Sequence, residues 1–266
     1  MNQKNEKTVA VIKNLTKEYG GRGYRTQVLK GIDLTVLEHD FIAIMGPSGS
    51  GKTTLLNIFS SIDQPTQGSV VIGGKDLTRI SNRELSQLRR DKIGFIFQDY
   101  NLLDTMTLRD NIALPLSLGG AGSQACMEKT VRLAKAFGLT EHLDKYPFQL
   151  SGGQKQRGAA CRAFITEPEI IFADEPTGAL DSKSSRDLLE CLKNVNEKGL
   201  ASILMVTHDA LSASYAKDVY ILSDGRMKCR ISRGGSRKEF YDRIMDLQAS
   251  MGSGNIIEGQ GGGEWK

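Results

Sequence analysis

The 266-residue sequence predicts an α/β fold organised around a buried parallel sheet. Apolar runs of strand length recur along the chain, interleaved with helix-like stretches. Two of the most apolar, at 169–173 and 202–207, lead directly into polar residues, as expected of strands that open a site at their C-terminal edge. A third, at 41–45, runs into a glycine-rich loop and then a helical pattern.

In chain order, strands are expected at 9–12, 28–36 and 41–45. The loop that follows reads Gly46-Pro-Ser-Gly-Ser-Gly-Lys-Thr53, the pattern G-x-x-x-x-G-K-[ST]. Strand, loop and helix in this order make a phosphate cradle. Gly46, Gly49 and Gly51 let backbone N–H groups close around an anion, with Pro47, Ser48 and Ser50 between them. The helix at 53–59 directs its positive end at the same point, and Thr54 lies in its first turn. Lys52 would reach the outer phosphates and Thr53 would place its hydroxyl on Mg²⁺. Further strands are expected at 69–72 and 93–97. From Gln98 to Ser151 the pattern turns helical, at 108–116 and 124–137, with Gly119-Gly-Ala-Gly122 as a break. That block is expected to form an inserted helical subdomain.

Leu150-Ser-Gly-Gly-Gln154 precedes a helical stretch at 155–165. Ser151 has the chemistry of an N-cap, and Gly152 and Gly153 expose backbone at the positive helix end. The run ending in Asp174 and Glu175 delivers two carboxylates. The first suits a hard cation bound through water, and the second is left to orient an attacking water. His208 follows the run at 203–207. A lone histidine at a strand end is more often structural than catalytic. A strand at 218–222 and an amphipathic helix at 238–251 complete the ordered part, and the glycine-rich end, 253–266, is expected to be disordered.

Composition narrows the alternatives. No apolar run approaches the roughly 20 residues of a membrane span, and the polar N-terminus lacks the apolar core of a signal peptide, which predicts a cytosolic chain. A net charge of +4 is too small to argue for nucleic acid. Cys126, Cys161, Cys191 and Cys229 are widely spaced and read as reduced structural thiols. The basic cluster from Arg226 to Lys238 reads as a solvated strand and turn in preference to a lipid-headgroup contact.

With these motifs in this order, the chain resembles the ATP-binding subunits of ABC transporters from about residue 9 to 252. The resemblance implies a P-loop NTPase (RecA-like) core, an antiparallel β subdomain and an inserted α-helical subdomain. Its expected limits are 8–98 and 157–232 for the core, 99–156 for the helical subdomain and 233–252 for a C-terminal helical extension. Tyr19 would stack on adenine. Gln98 would add an amide oxygen to the Mg²⁺ held by Thr53 and Asp174. Glu175 would be the catalytic carboxylate, and His208 would contact the γ-phosphate. Ser151, Gly152, Gly153, Gln154 and Asp181 would act in trans, on ATP bound by a second copy of the chain. The implied partners are that second copy and a membrane permease at the cytoplasmic face, with no nucleic acid.

Phe97-Gln-Asp-Tyr-Asn-Leu-Leu-Asp-Thr105, Ser60-Ser-Ile-Asp63 and the segment after Ser232 are similar to bacitracin-type antimicrobial peptide transporters of Gram-positive bacteria. That subgroup implies peptide resistance or sensing and a connection, through the permease, to a membrane histidine kinase. Lipoprotein-release, macrolide-export and division-associated ATPases share most of the core and are the alternative. A soluble nucleic-acid ATPase is a weaker one, because the chain lacks the long insertions or second ATPase unit of such proteins.

Overall fold

A computed structural model describes residues 7–21 and 23–252. Four strands, β1 (Thr8–Gly21), β2 (Tyr24–Leu37), β4 (Gln67–Ile72) and β5 (Lys75–Asp76), form an antiparallel sheet in the order β2-β1-β4-β5. Six others form the central sheet: β3 (Phe41–Met45), β6 (Ile93–Ile96), β7 (Ile170–Asp174), β8 (Ser202–Val206), β9 (Asp218–Ser223) and β10 (Arg226–Ser232). Their order is β10-β9-β3-β8-β7-β6, parallel from β9 to β6, with β10 turned back antiparallel at one edge.

The apolar runs are continuous because the central strands are covered on both faces. Alternate side chains divide between two cores. Ile42, Ile44, Phe172, Leu204 and Val206 face the antiparallel sheet and the helix α1 (Lys52–Phe59). Phe41, Ala43, Met45, Ile171, Ala173, Ile203 and Met205 face the opposite layer. That layer holds α3 (Leu108–Leu118), α4 (Ser123–Ala136), α5 (Gly152–Phe164), α6 (Ser182–Glu197) and α8 (Arg237–Gly252). Since β7 and β8 end on one edge beside β3, their next residues gather there.

All eight expected strands are present. β1 and β2 run longer than expected, because their outer halves pair with each other as a two-stranded ribbon up to Gly21 and Tyr24. Helix α2 (Asn82–Lys92) was not expected: only Leu88 is buried, so it has no apolar stripe. Its legible sign was the capping box between Ser81 and Glu84. Helix α6 was also missed, although Ser185, Leu188, Leu189, Leu192 and Val195 form a buried face with helical spacing. The expected limit at residue 156 falls inside α5, which packs on α3 and α4 and also on β6.

The basic cluster lies on the edge strand β10 and the segment after it. Arg230 pairs with Asp218 at 3.0 Å, and Arg237 lies over the Tyr215 ring at 4.2 Å. Charges on an edge strand also discourage strand addition by other chains. The four cysteines are free, and burial pushes the Cys161 thiol well above its ordinary range. The expected disorder of 253–266 lies outside the described residues.

Candidate functional site

The glycine-rich loop leaves β3 and turns into α1. Gly49 and Gly51 have φ of 77° and 103°, a region that side chains rarely adopt, and a Cβ on Gly46 would stand 2.0 Å from the Leu222 carbonyl oxygen. Gly51 is the N-cap of α1 and has no side-chain cap, so the first-turn N–H groups are directed at the loop. Gly46, Pro47, Ser48, Gly49, Gly51, Lys52, Thr53 and Thr54 line a cavity of about 810 Å³; Ser50 is buried behind it. The Lys52 ammonium donates to the carbonyls of Gly46 and Pro47, each at 2.9 Å, and so closes the loop on itself. Burial lowers its pKa, against the opposing charges of Glu175 and Asp174.

Glu175 and His208 reach the same cavity from the ends of β7 and β8. His208 Nδ1 lies 2.7 Å from Glu175 Oε2. Glu175 has φ of 42°, left-handed for a residue with a side chain, and its N–H donates to the Val206 carbonyl at 2.9 Å. Such backbone strain is concentrated at functional positions. The turn is what separates the two adjacent carboxylates: Asp174 accepts from the Thr53 hydroxyl at 3.5 Å, while Glu175 faces the histidine.

Among the described residues, no group of three or more His, Cys, Asp or Glu side chains could hold a metal. The donors that converge are one hydroxyl and one carboxylate, suited to an ion that completes its shell with water and phosphate oxygens, as Mg²⁺ does. A cation bound there would offset the cost of holding that carboxylate charged. Burial, then the neighbouring charge of Glu175, raises the Asp174 pKa above its ordinary value of 3.8. Without a cation, the resulting penalty on the folded state is absent below that ordinary value and complete above the raised one. We therefore expect Asp174→Asn to raise, not lower, the nucleotide-free melting temperature at pH 7. The same change should abolish Mg²⁺-dependent stabilisation by ATP. Scanning fluorimetry with and without Mg²⁺-ATP reads both, and a lowered apo melting temperature would contradict the argument.

Other expected residues stand outside the cavity. Tyr19 is 44% exposed; its hydroxyl donates to Asp63 at 2.7 Å, and Lys17 lies over its ring. The Gln98 amide lies against Gly178, where a Cβ would come within 3.1 Å of its Nε2. Ser151 is the N-cap of α5. Its Oγ accepts from Gln154 N, while Gln154 Oε1 accepts from Ser151 N. The helix thus begins at Gly152, three residues earlier than the sequence pattern suggests, because the cap is reciprocal. None of Ser151, Gly152, Gly153 and Gln154 lines the cavity of its own chain. The Asp181 carboxylate caps α6, accepting from the backbone of Lys183 and Ser184 and from the Ser184 hydroxyl. Tyr100 turns its hydroxyl onto Gly152, and Gln156 of α5 donates to the carbonyls of Phe97 and Pro176 at 3.0 and 2.8 Å. The segment after Gln98 and the turn after Glu175 are therefore tied to one helix.

Sequence reasoning missed Val28, Met45, Ile221, Ser223 and Gln248 as cavity walls. Val28, Met45 and Ile221 lie in strand runs that were legible, and Ser223 one residue past the run at 218–222, but their nearness to the loop depends on strand order. Gln248 had no local signal.

The ABC transporter family pattern matches residues 29–178. The chain is 52% identical over 240 residues to the bacitracin export ATP-binding protein of Halalkalibacterium halodurans, covering 90% of this chain and 95% of that one. It is 43% identical over 216 residues to a macrolide export ATP-binding/permease protein of Marinobacter nauticus, covering 81% of this chain but 33% of that larger protein. Among solved structures it resembles the ATP-binding cassette MJ0796 as a dimer in a post-hydrolysis state bound to ADP and Pi. There the TM-score is 0.77 and the identity 38%, covering 85% of this chain and all of that one. Phosphate loop, paired carboxylates and strand-end histidine thus stand in a chain that belongs to the ABC transporter family, as an ATP-binding and ATP-hydrolysing subunit.

Proposed function

We propose that two copies of this chain, joined head to tail, use ATP and Mg²⁺ to drive a membrane permease that protects the cell envelope from antimicrobial peptides. One observation carries the two-copy reading. The phosphate loop, Glu175 and His208 share a cavity, while Ser151 to Gln154 lie at a helix N-terminus outside it. A helix end that suits an anion but faces none in its own chain is suited to one held by a partner.

In this reading Lys52 holds the outer phosphates, and Tyr19 packs at the adenine side. Thr53, Asp174 and Gln98 would hold Mg²⁺. When bound, the ion neutralises charge developing on the phosphates. Glu175 orients the attacking water and accepts its proton. His208 steadies Glu175 through Nδ1 and the γ-phosphate through the rest of the ring. Ser151, Gly152, Gly153 and Gln154 cover the partner's γ-phosphate, and Asp181, by capping α6, shapes the loop at the same interface.

No helix among the described residues is long and apolar enough to cross a membrane, so the proposed membrane contact, at the cytoplasmic face, is through the permease. Residues 99–105 are the proposed docking segment, with Tyr100 and Leu102 as the contacts the sequence puts forward; Tyr100 turns onto Gly152 and Leu102 packs against the main core, while Leu103 is exposed. The subgroup likeness extends the proposal to a Gram-positive host and to a membrane histidine kinase signalling through the permease. The macrolide-export relatives support the second reading, an ATPase of another export or release complex.

Cells decide between the two. Deleting the chain should sensitise its host to bacitracin-like or lantibiotic peptides without affecting growth in their absence. Unchanged minimum inhibitory concentrations across such a panel, with a defect in division or lipoprotein release, would assign the motor to the alternative.

A further inference from the structure

Helix α8 enters the core and then the nucleotide cavity along a single stripe. Phe240 and Ile244 are buried in the main core, 1% and 0% exposed. A spacing of four residues puts Gln248 on the same face, one turn further on. There the stripe leaves the apolar core. Gln248 is half-buried and lines the cavity beside Glu175 and His208. Its Nε2 donates to the main-chain carbonyl of His208 at 3.1 Å.

His208 benefits from such a tie. It sits on the short link between β8 and α7 (Ala210–Ala213), with its side chain 66% exposed. The neighbours on either side are fixed. Thr207 donates its N–H to the Ile44 carbonyl, and Asp209 caps α7. Between them, the carbonyl of His208 is held from outside the link by Gln248. An exposed ring placed 2.7 Å from Glu175 keeps that geometry only if its backbone is held.

We propose that Gln248 is a positioning residue for ATP hydrolysis: the C-terminal helix clamps the His208 carbonyl and so holds the imidazole against Glu175. The proposal rests on the reading of His208 as the group that steadies the γ-phosphate and Glu175. It makes α8 part of the motor, so that displacing the helix would slow hydrolysis without touching the phosphate loop.

The test is a pair of measurements on the purified full chain. Gln248→Leu keeps the side-chain bulk and removes the donor. It should lower kcat about 3- to 10-fold, the rate equivalent of one neutral hydrogen bond, while leaving the KM for ATP within about twofold. In a His208→Ala background the same change should cost nothing further, because its effect passes through the ring. Hydrogen exchange in a peptide covering 206–211 should be faster in Gln248→Leu. An equal loss of kcat with and without His208 would overturn the proposal, as would unchanged exchange at 206–211. Should His208→Ala alone leave kcat unaltered, the catalytic reading of His208 falls, and with it the effect on hydrolysis. Faster exchange would then still establish the clamp.

Discussion

Glu175→Gln should reduce ATP hydrolysis by at least about 10²-fold while ATP binding is retained, the loss expected when a proton acceptor or water-positioning group is removed. The substitution is nearly isosteric, so the strained backbone at φ 42° and its bond to the Val206 carbonyl need not move. An amide oxygen can still accept from His208 Nδ1, now 2.7 Å from the carboxylate, but an amide cannot take a proton from water. The phosphate loop lies on a different strand end and is untouched. Turnover would stop once two copies have joined around ATP, and an ATP-bound dimer should accumulate in size-exclusion chromatography with ATP. Unimpaired phosphate release by this variant would remove Glu175 from the catalytic role. Lys52→Ala makes the contrast. Its ammonium holds the carbonyls of Gly46 and Pro47, so that change should weaken nucleotide binding itself.

The second large effect lies at the N-terminus of α5. Ser151→Arg should abolish turnover and leave ATP binding by the isolated chain largely intact, because Ser151 does not line its own cavity. The change also deletes the hydroxyl cap of α5, which is worth about 1 kcal/mol and should lower the melting temperature slightly. Ser151→Ala, which loses the cap without the bulk, separates that local cost from obstruction of the interface. Mixing Ser151→Arg with Lys52→Ala chains should restore at most one composite site per dimer, the one that carries neither lesion. Isothermal titration showing that Ser151→Arg destroys nucleotide binding by the monomer would contradict action in trans.

Much of the site was legible because its parts are local. A phosphate loop needs glycines at fixed positions between a strand and a helix, and Gly46, Gly49 and Gly51 meet that need within a few residues. The strands carrying Asp174, Glu175 and His208 were legible for a different reason. Burial on both faces makes β3, β7 and β8 continuously apolar, and α/β sheets open their sites where such strands end. The cap at Ser151 was also local. Helix α2 escaped because a surface helix with a single buried leucine carries no period to read. Asp181 shows a local role that its motif did not: its carboxylate caps α6.

From its residues alone, then, the chain determined a nucleotide-binding α/β core, the strand ends that supply its acids and histidine, and a second helix end with anion-binding chemistry. These follow from backbone sterics, hydrophobic period and capping, which act over a few residues. Tertiary structure alone decided the spatial relations. It placed β9 next to β3, so that Ile221 and Ser223 wall the cavity, and it kept Ser151 to Gln154 out of that cavity. It also carried Gln248 from the C-terminal helix onto the His208 carbonyl, 40 residues away in sequence. Such meetings depend on how buried faces pack between elements far apart in the chain, and no local pattern encodes them.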